Sequence, residues 1–140
     1  MPIWTSQFDK PTIKDLIGQL DPEARGFYKD LRRSLVEILN KKPKLDWMGV
    51  TWHWCEITTF DAGDMLIAVH LVPDPLNPRV GVTLSTAFFD STPPSELPKY
   101  LHAGLGTATA IGHQTWCEWA IGSQEAVDAI KELLLLAQSG

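Results

Sequence analysis

Cysteine is scarce in this sequence: Cys55 and Cys117 are the two present, far apart and without Cys-x-x-Cys spacing. A redox pair or zinc knuckle announces itself by close paired spacings, so reduced thiols are expected. Long apolar runs are missing too. The longest, Met65 to Val72, is interrupted by His70 and is too short to span a bilayer, and the opening MPIWTSQFDKPT lacks the basic-then-apolar pattern of a signal peptide. A cytoplasmic location with no membrane partner is the expectation. Cations are not in excess either. The formal net charge of -5 argues against a nucleic-acid partner, whose phosphates are met by clustered Lys and Arg.

The one basic cluster, Lys41, Lys42 and Lys44 with Arg32 and Arg33 upstream, follows a predicted helix, where cations meet the negative end of the helix dipole. Gly104-Leu105-Gly106 lacks the third fingerprint glycine, a place held by Thr109, and no parallel β-α-β unit surrounds it, so a dinucleotide site is excluded. No cofactor is expected. What is present is the mixture of an ordinary globular protein, 44% hydrophobic and 21% charged, at a length that one core can serve. Residues 1–140 therefore read as a single domain.

Thr12 with Asp15 three residues on resembles a helix start, and Ile13, Leu16, Ile17 and Leu20 recur at helical spacing. Asp21-Pro22 opens a second helix with the apolar stripe Phe27, Leu31, Leu35, Ile38 and Leu39, ending near Asn40. Residues 41–46 read as a connection. Val50 to Phe60 and Met65 to Val72 read as strands joined by the turn Asp61-Ala62-Gly63-Asp64, and a proline-rich loop leads to a third strand, Arg79 to Ser85. A short helix near Ser95 to Ala103, a second hairpin about Gly112-His113 and a last helix capped by Ser123 complete the chain. The expected fold is α+β, a two-layer arrangement in which N- and C-terminal helices pack on one face of a five-stranded antiparallel sheet.

That order, the helix DPEARGFYKDLRRSL, the residues Trp47, Gly49, Val50 and Trp52 leading into the sheet, and the closing TWCEWAIGSQEAVDAIKELLLLA resemble the small YdhG-like bacterial domains. The resemblance covers most of the chain and implies the same fold. Some members of that group are described as frataxin-like iron chaperones, a role that would rest on a strip of helix carboxylates. Here Asp30 and Glu37 share their helix with Lys29, Arg32 and Arg33, so the iron role does not carry over.

Alternation in strands sorts the remaining polar and aromatic residues between faces. Val80, Val82 and Leu84 are core by parity, as are Cys117, Trp119 and Ile121. By the same reasoning Cys55 and Ile57 point inward and Trp52, Trp54 and Glu56 outward. The helix-free face would then carry Trp52, Trp54, Glu56, His70, Arg79, Trp116 and Glu118 as a ligand-binding set. Three indoles on one face imply a cover: a symmetric homodimer, a folded-back segment bearing Ile3, Trp4 and Phe8, or a small-molecule ligand in an aromatic pocket. The expected function is a binding module that holds a small molecule or a protein partner on this face; an enzyme using Glu56, Glu118 and His70 in acid-base chemistry is the alternative, and a ligand-free structural homodimer the third. His53 and Cys55 with His70, His102, His113 and Cys117 do not reach metal-site spacing, and no metal is expected.

Overall fold

The computed structural model describes residues 3–62, 65–106, 108–111 and 114–139. After a 3-10 turn at Ile3–Thr5, helix α1 (Ile13–Gly18) starts where the Thr12 side chain accepts a hydrogen bond from the Asp15 N–H at 3.2 Å. Helix α2 (Pro22–Leu39) has Asp21 at its N-cap, proline in its first turn, and Asn40 closing it in the left-handed conformation at φ 53°. Its apolar stripe buries Tyr28, Leu31, Leu35 and Leu39. The last helix, α6 (Gln124–Ser139), begins where the Ser123 hydroxyl accepts from the Ala126 N–H. It buries Val127, Ile130, Leu133 and Leu134 completely. Each such side chain contributes roughly 1.5–3 kcal/mol, which is why a helix with few polar anchors holds its place.

Six strands form one antiparallel sheet in the order β1-β2-β3-β4-β6-β5. They are β1 (Lys44–Trp47), β2 (Trp54–Ala62), β3 (Met65–Val72), β4 (Arg79–Ser85), β5 (Thr109–Ile111) and β6 (Gln114–Ala120). The strand absent from the sequence reading is β1, which lies in the segment taken for a connection. Its four residues are too few to show a period, and Pro43 precedes them. Gly63, Asp64, Gly112 and His113, expected in the two hairpin turns, lie outside the described residues. The link from β4 to β5 holds α4 (Thr86–Ser91), two 3-10 turns and α5 (His102–Gly106), in place of one helix near Ser95. Among the described residues no helix is long and apolar enough to cross a membrane.

Helices α2 and α6 pack against each other, joined at their polar margin by Asp30, which meets Lys131 at 3.6 Å and accepts a hydrogen bond from Gln124 at 3.4 Å. The core unites their buried residues with Val69, Leu71, Val80, Val82, Leu84, Cys117 and Trp119, the inward parity expected for β3, β4 and β6. In β2 the expected parity is inverted. Glu56 pairs with Leu71, Thr58 with Val69 and Phe60 with Ile67, so these residues and Trp54 face the helices, while Cys55 and Ile57 lie on the other face. The reason is local. Residues Gly49–Trp52 form a single helical turn, α3, and His53 then takes φ 55°, so Trp52 is not in the strand and its spacing of two from Trp54 carries no face information.

Trp54 is accordingly core, 6% exposed, against Trp4 and Leu16. Its indole donates to the Ser6 carbonyl at 2.8 Å, and the Trp4 indole donates to the Trp54 carbonyl at 2.9 Å. The N-terminal segment thus folds onto this corner of the sheet, although Phe8 stays 92% exposed. Trp119 is the equivalent anchor at the other side, donating to the Leu101 carbonyl at 3.0 Å. Gly104 makes room for it: a Cβ there would lie 2.2 Å from the indole nitrogen. Trp54→Ala and Trp119→Ala should therefore each cost about 3–5 kcal/mol in denaturant melts, through the cavity and the lost indole bond. A mild effect of either, under about 1 kcal/mol, would contradict the packing described.

Candidate functional site

On the face away from α2 and α6, strand register lines up His70 of β3, Gly81 of β4 and Glu118 of β6 side by side. Gly81 is the key to the arrangement. A Cβ there would fall 2.1 Å from a ring carbon of Trp116, so the missing side chain is what lets the Trp116 indole lie across the sheet. The indole thereby reaches His70, with ring centroids 5.0 Å apart at 71°, and its N–H donates to Glu118 Oε2 at 3.2 Å. The other Glu118 oxygen pairs with Arg79 Nε at 2.8 Å, and Arg79 Nη1 pairs with Asp74 at 2.9 Å. Asp74 is itself set by the proline-flanked turn, where its side chain accepts from the Leu76 N–H.

Trp52 reaches this face from α3. Its ring meets Trp116 edge-on at 5.2 Å, and the Arg79 guanidinium carbon stands 5.6 Å over it. The turn that delivers it is closed by hydrogen bonds from Met48 N–H to the His53 carbonyl at 2.7 Å and from His53 N–H to the Gly49 carbonyl at 2.8 Å. Gly49, which opens the turn, and His53, which follows it, have positive φ, 92° and 55°. For a histidine this conformation costs of order 1–3 kcal/mol. Packing of its ring against Trp4 and Trp47, at 4.4 and 5.4 Å, helps hold it there.

Two cavities adjoin on this face with Trp116 as their common wall. One of about 200 Å³ is lined by Met48, Trp52, His70 and Trp116. The other, about 300 Å³, is lined by polar groups that include Asn77, Arg79, Thr109 and Glu118. Burial lowers the affinity of His70 for a proton, so the imidazole is neutral at pH 7. Its Nδ1 is buried without a hydrogen-bond partner.

Of the seven residues expected to share a site, Trp52, His70, Arg79, Trp116 and Glu118 are brought together. Trp54 and Glu56 are not. Glu56, 2% exposed, faces α2, where Arg32 Nε donates to both carboxylate oxygens at 2.9 and 2.8 Å and the Tyr28 hydroxyl donates at 3.1 Å. Burial raises the Glu56 pKa in spite of these partners, and raises that of Tyr28 well above its ordinary value. Glu56 and Glu118 stand on opposite faces of the sheet and do not form an acid-base pair. Cys55 lies on the outer face but is fully buried beneath α3, its Sγ 3.3 Å from the Trp52 carbonyl. Burial pushes its thiol up to about 12 and that of Cys117 to about 11, so neither is a thiolate nucleophile. Among the described residues no three His, Cys, Asp or Glu side chains gather at metal-binding distance, and His113 lies outside them.

Sequence reasoning missed Met48, which lines the smaller cavity, and the role of Gly81, for which an isolated glycine inside a β-branched strand is the available signal. No family model, curated protein or solved structure matches the chain.

Two measurements check this geometry. Arg32→Met should destabilise the fold by about 3 kcal/mol because it strands a buried carboxylate, and Arg32→Met/Glu56→Met should lose less than the single change. A double variant weaker than the single would refute the buried pair. A depressed histidine pKa contributes stability that is present above the unfolded value of 6.5 and is lost as pH falls below it through the folded value. Wild type should thus weaken on acidification more than His70→Phe does; parallel stability curves would refute the burial of this imidazole.

Proposed function

We propose that the domain is a binding module that holds a small molecule on the outer face of the sheet, across Trp52, His70, Arg79, Trp116 and Glu118. The observation that carries this reading is the Trp116 indole, laid over Gly81 as the common wall of an apolar cavity and a polar one. Ligand sites combine apolar and aromatic walls with a few fixed polar groups, and that combination is present here. Arg79 bridges the Asp74 and Glu118 carboxylates, and Glu118 also accepts from the Trp116 N–H, so these polar groups are held in place and suited to orient a polar substituent.

A ligand is favoured over a symmetric homodimer as the reason for the indoles, because Trp52 and Trp116 already cover each other and both are half-buried. A contact made within one chain thus already accounts for much of the indole surface that a dimer would otherwise have to cover. Nitrogen-15 NMR of the tryptophan indoles, run against a collection of small uncharged and zwitterionic fragments, tests the proposal. Trp52 and Trp116 signals should move while that of Trp119 stays, with a monomer mass in light scattering. A collection that moves neither signal, or a mass of two chains whose dissociation on dilution shifts both, would replace the ligand by the dimer.

A further inference from the structure

We infer that the groove between α1 and α2 is a site for a small amphipathic anion, a carboxylate or phosphate head on an apolar body. A cavity of about 400 Å³ opens there, lined by Ile13, Lys14, Ile17 and Gly18 of α1 and by Arg25 and Lys29 of α2. That volume is typical of small-molecule sites. It shares no lining residue with the two cavities of the outer sheet face, so it stands apart from the ligand proposed there. Ile13 and Ile17 pack against the core, which fixes the apolar wall in place. Gly18 keeps the end of the groove open, since a Cβ there would meet nothing within 4 Å.

Charge selects the head group. The ionisable groups on the lining, Lys14, Arg25 and Lys29, are all cations, in a chain whose net charge is -5. Arg25 and Lys29 stand one turn apart on α2, where like charges repel. Among the described residues no carboxylate comes within ion-pair distance of any of the three. Arg25 is nevertheless held: its Nη2 donates to the Gly18 carbonyl at 3.1 Å and to the Leu20 carbonyl at 3.0 Å, which ties the guanidinium to the end of α1. Those partners are neutral, so its charge stays uncompensated. Lys14 and Lys29 are exposed and can lay their stems along the isoleucines while their ammonium heads reach the rim. An anion at that rim relieves the repulsion among the cations and gains charge-assisted hydrogen bonds, and its apolar body covers the isoleucine wall.

Octanoate, octyl phosphate, octan-1-ol and inorganic phosphate separate head from body. Titrated by calorimetry and followed by the Ile13 and Ile17 methyl signals in carbon-13 NMR, the wild-type protein should bind an octyl anion roughly tenfold more tightly than octanol, the scale of one charge-assisted hydrogen bond. Inorganic phosphate should bind more weakly than octyl phosphate. Added salt should weaken the octyl anions and spare octanol. Lys14→Gln/Lys29→Gln, changed at two exposed positions, should bring the anions close to the affinity of octanol, and the wild-type salt dependence decides the matter even if that variant folds poorly. Equal affinities for the octyl anions and octanol, or indifference to salt, would overturn the anionic head. Inorganic phosphate binding as tightly as octyl phosphate would overturn the apolar body. Anion binding that leaves both isoleucine signals in place, or no binding of either octyl anion, would overturn the site itself, and neither result touches the reading of the outer face.

Discussion

The Glu56 carboxylate is the constraint on which the rest of the structure depends. Taking an ionised carboxylate out of water costs several kcal/mol, and the site is tenable because the Arg32 Nε–H and the Tyr28 hydroxyl, both on α2, converge on its oxygens. Since β2 alternates strictly, placing Glu56 inward also commits Thr58 and Phe60 to the helix side and Cys55 and Ile57 to the other. The same bonds pin α2 over β2, and α6 then packs against α2 along the margin bearing Asp30 and Lys131. Breaking one partner would strand the other, so helix position and strand parity stand or fall together.

The outer face obeys a different logic, in which two departures from regular strand structure do the positioning. The turn at Gly49–Trp52 lifts Trp52 off the end of β2 and lays it over the sheet, roofing Cys55. The glycine at 81 removes the side chain that would hold Trp116 away. Together they bring the indole of α3 against that of β6, and both to His70 and to the Arg79 and Glu118 pair. A backbone conformation that a histidine rarely adopts is maintained at the edge of this cluster, where strain is commonly found beside functional sites.

Helix starts were legible from local chemistry. Thr12, Asp21-Pro22 and Ser123 each satisfy free N–H groups within a few residues, so no distant partner is needed to read them. The inward side of β4 was legible because Val80, Val82 and Leu84 alternate with Arg79, Gly81 and Thr83, and in β3 and β6 the polar His70 and Glu118 mark the outer side. Strand β1 was not, being four residues of mixed character whose place depends on pairing with β2. The candidate site divides the same way. His70, Arg79, Trp116 and Glu118 follow from parity in regular strands, whereas Trp54 and Glu56 were assigned to the wrong face because α3 interrupts the count just before them.

By itself, then, the sequence determined the class of fold, the helix boundaries set by caps and the buried faces of the regular strands, since each depends on side chains within one turn or one strand. Tertiary structure alone decided which face Glu56 occupies, because a charge can be buried only where other elements supply its partners, and Arg32 and Tyr28 lie 24 and 28 residues away in the chain. It decided as well that Trp52 and Trp116 should meet. Their contact requires a helical turn between strands, an absent Cβ at Gly81 and the register of β4 on β6, and no periodicity in the chain encodes those three together.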